Sequence, residues 1–69
     1  MLMISVVSST IARVGYDSGV HDLVIEFNNG KKYTYHDVPQ TIWSQLMKAS
    51  SPGSFFAENI RDRYSFTRG

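Results

Sequence analysis

The residues with the most chemistry to offer cluster late in the chain, at Ser51-Pro52-Gly53-Ser54 and then Arg61-Asp62-Arg63-Tyr64. Hydroxyls and free backbone N–H groups at a helix start can hold a phosphate. The first N–H groups have no intrahelical acceptor, and the helix dipole places positive charge there. An ordinary N-cap satisfies the same groups, so Ser51, Gly53 and Ser54 fit both readings. Arg61 and Arg63 suit bidentate clamping of a phosphate. Beside Glu58 and Asp62 they suit an exposed, ion-paired helix end equally well.

Further candidates lie outside this stretch. Tyr16 and Tyr64 are the tyrosines best placed to stack on a base, since side-chain alternation assigns Tyr33 and Tyr35 to the core. Ser8 and Ser9 precede a strand and suit either a ligand contact or a polar turn. His21 and His36, the only histidines, each stand beside an aspartate. Neighbours in a strand point to opposite faces, so sequence adjacency makes no catalytic pair of them. No G-x-S-x-G elbow, P-loop, G-x-G-x-x-G fingerprint or H-E-x-x-H spacing is present. The reading is a binding protein and not an enzyme, with no metal and no cofactor expected.

Sixty-nine residues allow one domain, residues 1–69, with a small core; chains of this size bury only roughly 60% of the surface they expose when unfolded. Small scaffolds need a staple, and the absence of cysteine excludes disulfides. Self-association remains, so a homo-oligomer is expected. The net charge of +1 gives no general attraction to nucleic acid, although the stretch after Trp43 is mildly basic. The apolar MLMISVV segment is too short to span a bilayer and lacks signal-peptide features. No membrane association is expected, and a cytoplasmic protein is the natural reading, with which the lack of cysteine agrees.

The elements that must position these groups are short. Val6, Val7, Ile11, Val14 and Tyr16 favour strand and end at the turn-forming Asp17-Ser18-Gly19. A strand from about Val20 to Phe27 follows, then Asn28-Asn29-Gly30 and a strand from Lys31 to His36. A two-residue loop would pair Ile25 with Thr34 and leave apolar side chains on both faces. A three-residue loop with Gly30 in a left-handed G1 bulge pairs Ile25 with Tyr33 and Leu23 with Tyr35, and sets Glu26 opposite Lys32. That register gives one apolar and one polar face, as a sheet covered on one side requires.

Asp37-Val38-Pro39 opens a helix, with Pro39 at its first position, and Ile42, Trp43, Leu46, Met47 and Ala49 form its apolar stripe. Ser50-Ser51-Pro52-Gly53 ends that helix and starts another, with Ser51 as N-cap and Phe56 and Ile60 as an i,i+4 pair. Alternation from Tyr64 to Thr67 suggests a short final strand. The fold class is therefore α+β: an antiparallel three-stranded meander, with a short fourth C-terminal strand, packed against two short helices.

An ordered series runs through the chain: Ser8-Ser9-Thr10-Ile11, Gly15-Tyr16-Asp17, Leu23 to Phe27 leading to Gly30, Tyr33-Thr34-Tyr35, and Val38-Pro39. It continues through Ala49-Ser50-Ser51, Gly53, Phe55-Phe56, Ile60-Arg61 and Tyr64. This series resembles the KTSC domain family, small domains found at the C-terminus of some lysyl-tRNA synthetases and standing alone in bacteria and phages. The resemblance covers about residues 7 to 68 and departs from the family pattern at Ala57, often a polar position. It implies a small mixed β and α domain, a link to RNA or nucleotide ligands, and a role for Arg61.

Two functions follow. One is a non-catalytic binding protein for a phosphate-bearing nucleotide or short nucleic acid, with Arg61 and Ser51 to Ser54 on the phosphate and Tyr16 or Tyr64 on the base. If phage-encoded, such a protein suits sequestering a host defence signal, such as a cyclic nucleotide, in a pocket between subunits. The other is a protein-interaction module docking through Trp43 and Phe55-Phe56, or an RNA or tRNA-binding accessory domain.

Overall fold

The computed structural model describes residues 2–69, so Met1, the first residue of the apolar MLMISVV segment, lies outside it. In chain order the elements are β1 (Met3–Ser5), β2 (Ile11–Asp17), β3 (Asp22–Phe27), β4 (Lys32–Tyr35), α1 (Gln40–Lys48), α2 (Pro52–Asn59) and β5 (Phe66–Arg68). The strands form one five-stranded sheet in the order β1-β2-β3-β4-β5, with every neighbouring pair antiparallel. The expected meander β2-β3-β4 is its centre. The C-terminal strand is present as β5, and β1 is an addition that the sequence reading did not contain.

The β3–β4 hairpin has the register that side-chain parity requires. Leu23 faces Tyr35, Ile25 faces Tyr33 and Glu26 faces Lys32, and Gly30 takes a φ of +88°. Phe27 N–H donates to Lys31 O, and Gly30 N–H donates to Phe27 O at 3.0 Å, closing the turn. The 11, 14, 16 spacing of apolar residues in β2 breaks strict alternation, and a β-bulge explains it. Ile11 pairs with Phe27 and Arg13 with Glu26, leaving Ala12 as the extra residue. Ile11, Val14 and Tyr16 therefore share the face that also carries Leu23, Ile25 and Tyr35.

Both helices cover that face. Leu46 of α1, Phe56 of α2, Ile60 and Val38 complete a buried cluster with Ile11, Val14, Leu23, Ile25 and Tyr35. The opposite face is mostly polar and carries the Arg13–Glu26 ion pair, with Val24 of β3 buried near its centre.

Four local expectations are corrected. Val6 and Val7 fall outside the strands, because β1 pairs with β2 only as far as Ser5 opposite Arg13; Val7 is 98% exposed. The strand expected from Val20 begins instead at Asp22, since His21 turns the chain with a φ of 59°. The strand expected to reach His36 stops at Tyr35, and Asp37 follows with a φ of 57°. Pro39 is the N-cap of α1 and not its first helical residue. Its ψ of 149° is extended while its carbonyl accepts from Ile42 N–H and Trp43 N–H.

Candidate functional site

Two clefts flank the start and outer ridge of α2. The first, about 520 Å³, lies between the Val7–Thr10 loop and the Ser50–Ser54 helix start, and is lined by hydroxyls, backbone, Pro52 and Ala57 without a charged side chain. The second, about 590 Å³, is lined by aromatic rings including Phe27, Tyr33, Tyr35 and Phe66, with Lys31, Arg61 and Asp62 among its polar residues. Thr10, Gly53 and Ala57 line both. Gly53 and Ala57 are four residues apart on α2 and share one ridge, while Arg61 follows just beyond the end of that helix. The small side chains of the first two keep the wall between the clefts low.

The local sequence explains why these segments meet. Ser8 Oγ accepts from Thr10 N–H at 3.1 Å and Ile11 N–H at 3.2 Å, an ST-type turn that sets up β2. Asn28 then holds this turn from the β3–β4 loop, donating through Nδ2 to Ser8 O and through its backbone N–H to Thr10 O. A Cβ on Gly53 would stand 3.4 Å from Ser8 Oγ and from Thr10 Cβ, so α2 begins in contact with the turn. Ser51 is the N-cap residue of α2, but its hydroxyl donates to Ser54 Oγ at 3.1 Å and caps no backbone N–H. Pro52 has no N–H, and the N–H groups of Gly53 and Ser54 meet no acceptor among the described residues.

The candidate residues divide accordingly. Ser8, Ser9, Ser51, Gly53 and Ser54 come together at the first cleft. Arg61 lines the second, 60% exposed, with only a 3.7 Å approach of Nε to Asp62 Oδ2. The other three line neither cleft. Arg63 donates from Nε to Glu58 O at 3.3 Å, closing the C-terminal end of α2. Tyr64 packs half-buried against the core. Tyr16 stacks on Trp43 with centroids 5.6 Å apart and donates to Val38 O at 2.5 Å; burial raises its pKa, so this hydrogen keeps its place.

Sequence reasoning passed over Phe27, Lys31, Tyr35 and Phe66 as cleft residues. Tyr33 and Tyr35 are core-facing as parity requires, yet both line the second cleft as well. A core position at the rim of the sheet can also face a cleft, and alternation alone does not reveal that.

The histidines illustrate the same gap. His36 pairs with neither neighbour in sequence. Its Nδ1 lies 3.1 Å from Asp22 Oδ1 and its Nε2 lies 2.8 Å from Thr67 Oγ1. Asp22 accepts only, so in the neutral ring Nδ1 carries the hydrogen and Nε2 accepts from the Thr67 hydroxyl. The atom order copies that of an acid, base and hydroxyl triad, but none of the three residues lines either cleft. What the arrangement does is lace β3, the end of β4 and β5 together on the polar face. No helix of the described residues is long and apolar enough to cross a membrane.

Comparison with known proteins places this geometry in a family. The KTSC domain model matches residues 7–64. A KTSC domain protein from Yersinia pestis has a crystal structure that superposes with a TM-score of 0.96 at 31% identity, covering 99% of this chain and 96% of its own. A protein from Tsukamurella paurometabola is 34% identical over 57 residues, 83% of this chain and 85% of that protein. A lysine–tRNA ligase from Trichormus variabilis is 33% identical over 58 residues, which are 84% of this chain but only 10% of the ligase. The family model takes in all of the first cleft's lining and all of the second's except Phe66, and the chain belongs to the KTSC domain family.

Proposed function

We propose that the protein is a non-catalytic binder of a phosphate-bearing nucleotide or short nucleic acid, held across the two clefts. The observation that carries this reading is the shared wall. Gly53 and Ala57 separate a hydroxyl-rich helix start from an aromatic cleft, and Arg61, just beyond the end of α2, lines the aromatic cleft. The open N–H groups of Gly53 and Ser54 stand at the first cleft and the exposed Arg61 guanidinium at the second, so each cleft offers its own anchor for a phosphate of one ligand. Aromatic walls on the far side suit the base. The base contact thus moves from Tyr16 and Tyr64 to the rings of the second cleft. That two relatives are lysine–tRNA ligases supports a nucleic-acid ligand, and an RNA-binding accessory role is a form of the same reading.

A binding domain of this kind acts by sequestering or presenting its ligand, and a phage-encoded copy would do so against a host signal in the host cytoplasm. Val7 at the first cleft and the 48% exposed Phe66 at the second are apolar side chains that a second copy would cover, in keeping with a homo-oligomer. The interaction-module alternative has less to stand on, since Trp43 stacks on Tyr16 and Phe56 is buried.

Native mass spectrometry of protein purified from its own cells reads oligomeric state and retained ligand together. The expected result is a multimer carrying a phosphate-containing small molecule or oligonucleotide, lost in Arg61→Ala at unchanged melting temperature. A ligand-free protein whose melting temperature no nucleotide shifts would overturn the reading.

A further inference from the structure

The second cleft holds a tyrosine whose hydroxyl the fold does not use. Tyr35 is 2% exposed. Its ring is fixed by an edge contact to Phe56 at 5.3 Å, a tilted contact to Phe66 at 5.4 Å and a stacked one to Tyr33 at 6.4 Å. Among the described residues nothing hydrogen-bonds its hydroxyl, and that oxygen is not sealed off, since no fully buried side-chain polar atom is left without a partner. It therefore opens on the one cleft that Tyr35 lines. Tyr16 supplies the contrast: the same side chain, half-buried, spends its hydroxyl on Val38 O. A tyrosine hydroxyl that is open to a cleft and bonded to no other group of the protein is available to a ligand.

We infer that the aromatic cleft reads a nucleobase, with the Tyr35 hydroxyl donating to a ring nitrogen or carbonyl of the base and Asp62 accepting from an adjacent amino group. This rests on the nucleotide reading above and adds which part of the ligand enters which cleft. The aromatic walls strip water from whatever enters. A neutral base tolerates that at the cost of a few hydrogen bonds, and Lys31 and Arg61, which line the same cleft, suit the phosphate of the same ligand. Arg61 and Asp62 line the cleft that Tyr35 lines, and burial raises the Tyr35 pKa above its ordinary value. The hydroxyl thus stays a donor at neutral pH. An acceptor beside an exocyclic amine is offered by adenine, guanine and cytosine, and not by uracil or thymine.

The test is calorimetric titration of wild type, Tyr35→Phe and Asp62→Asn with adenosine 5′-monophosphate, uridine 5′-monophosphate, adenosine and ribose 5-phosphate. Tyr35→Phe removes one oxygen that the fold leaves unpaired, so its melting temperature is expected to hold or rise. Its affinity for adenosine 5′-monophosphate is expected to fall about fivefold to tenfold, with no change for ribose 5-phosphate. Asp62, 81% exposed, is expected to lose preference for adenine over uracil when changed to Asn, without loss of fold. Wild-type affinity in Tyr35→Phe, or equal wild-type affinity for ribose 5-phosphate and the monophosphate, would overturn the inference and leave the phosphate reading standing. Adenosine binding as tightly as its monophosphate, with the Tyr35→Phe loss intact, would uphold the inference and overturn the phosphate reading. Binding of none of the four compounds would overturn both.

Discussion

At the residue scale, the tyrosines and arginines sort themselves by what their polar ends touch. Arg61 has only a long, exposed approach to Asp62, and exposed pairs of that kind contribute at most about 1 kcal/mol. Arg61→Ala is therefore expected to change unfolding free energy by less than about 0.5 kcal/mol in urea titration, while nucleotide affinity falls at least about tenfold, as loss of a charged hydrogen bond implies. Tyr16→Phe should do the reverse. It strands the Val38 carbonyl, so a loss of about 1 kcal/mol in stability is expected with ligand binding unchanged. Asp37 tests backbone strain instead. At a φ of 57° glycine has no steric penalty, so Asp37→Gly is expected to hold or raise the urea midpoint, despite the entropy that glycine adds to the unfolded chain.

At the element scale, what could be read in advance depended on whether the deciding partner was near in sequence. The β3–β4 register followed from parity, because one face had to bury Leu23, Ile25, Tyr33 and Tyr35. The start of α2 followed from Ser51-Pro52, a strictly local signal. The limits of β2 and β3 were blurred by the Ala12 bulge and by left-handed His21, neither of which has a glycine to mark it. β1 escaped because three edge residues show no periodicity worth reading. The site was half legible for the same reason. Ser8, Ser9, Ser51, Gly53, Ser54 and Arg61 announce themselves by type, whereas the aromatic cleft exists only once β3, β4, α2 and β5 are assembled. The His36 link to Asp22 and Thr67 spans 14 and 31 residues. Since that link laces β5 to the sheet, His36→Ala is expected to speed amide hydrogen exchange in Phe66–Arg68 selectively, leaving β2 and β3 protected.

At the scale of the whole molecule, one cluster of nine buried side chains among the described residues must hold five strands and two helices. Leu46→Ala is expected to cost about 2–5 kcal/mol, a large share of what so small a domain possesses. Burial of Tyr16 and Tyr35 also sets an alkaline limit. Both pKa values are raised in the folded state from the 10.0 of the free side chain. The unfolded chain therefore loses protons first, and the stability present below pH 10 declines as pH rises beyond it. The same compact assembly brings the serine-rich turn, the ridge of α2 and the aromatic rims of β3, β4 and β5 around one wall, and the proposed function requires both sides of that wall to be a single ligand site. Its most direct test is a nitrogen-15 amide NMR titration with adenosine 5′-monophosphate. The predicted result is one saturable transition in which Thr10, Gly53, Ala57 and Arg61 shift together while Tyr16 and Trp43 stay in place. Shifts confined to Tyr16, Trp43 and their neighbours, or none at millimolar nucleotide, would contradict it.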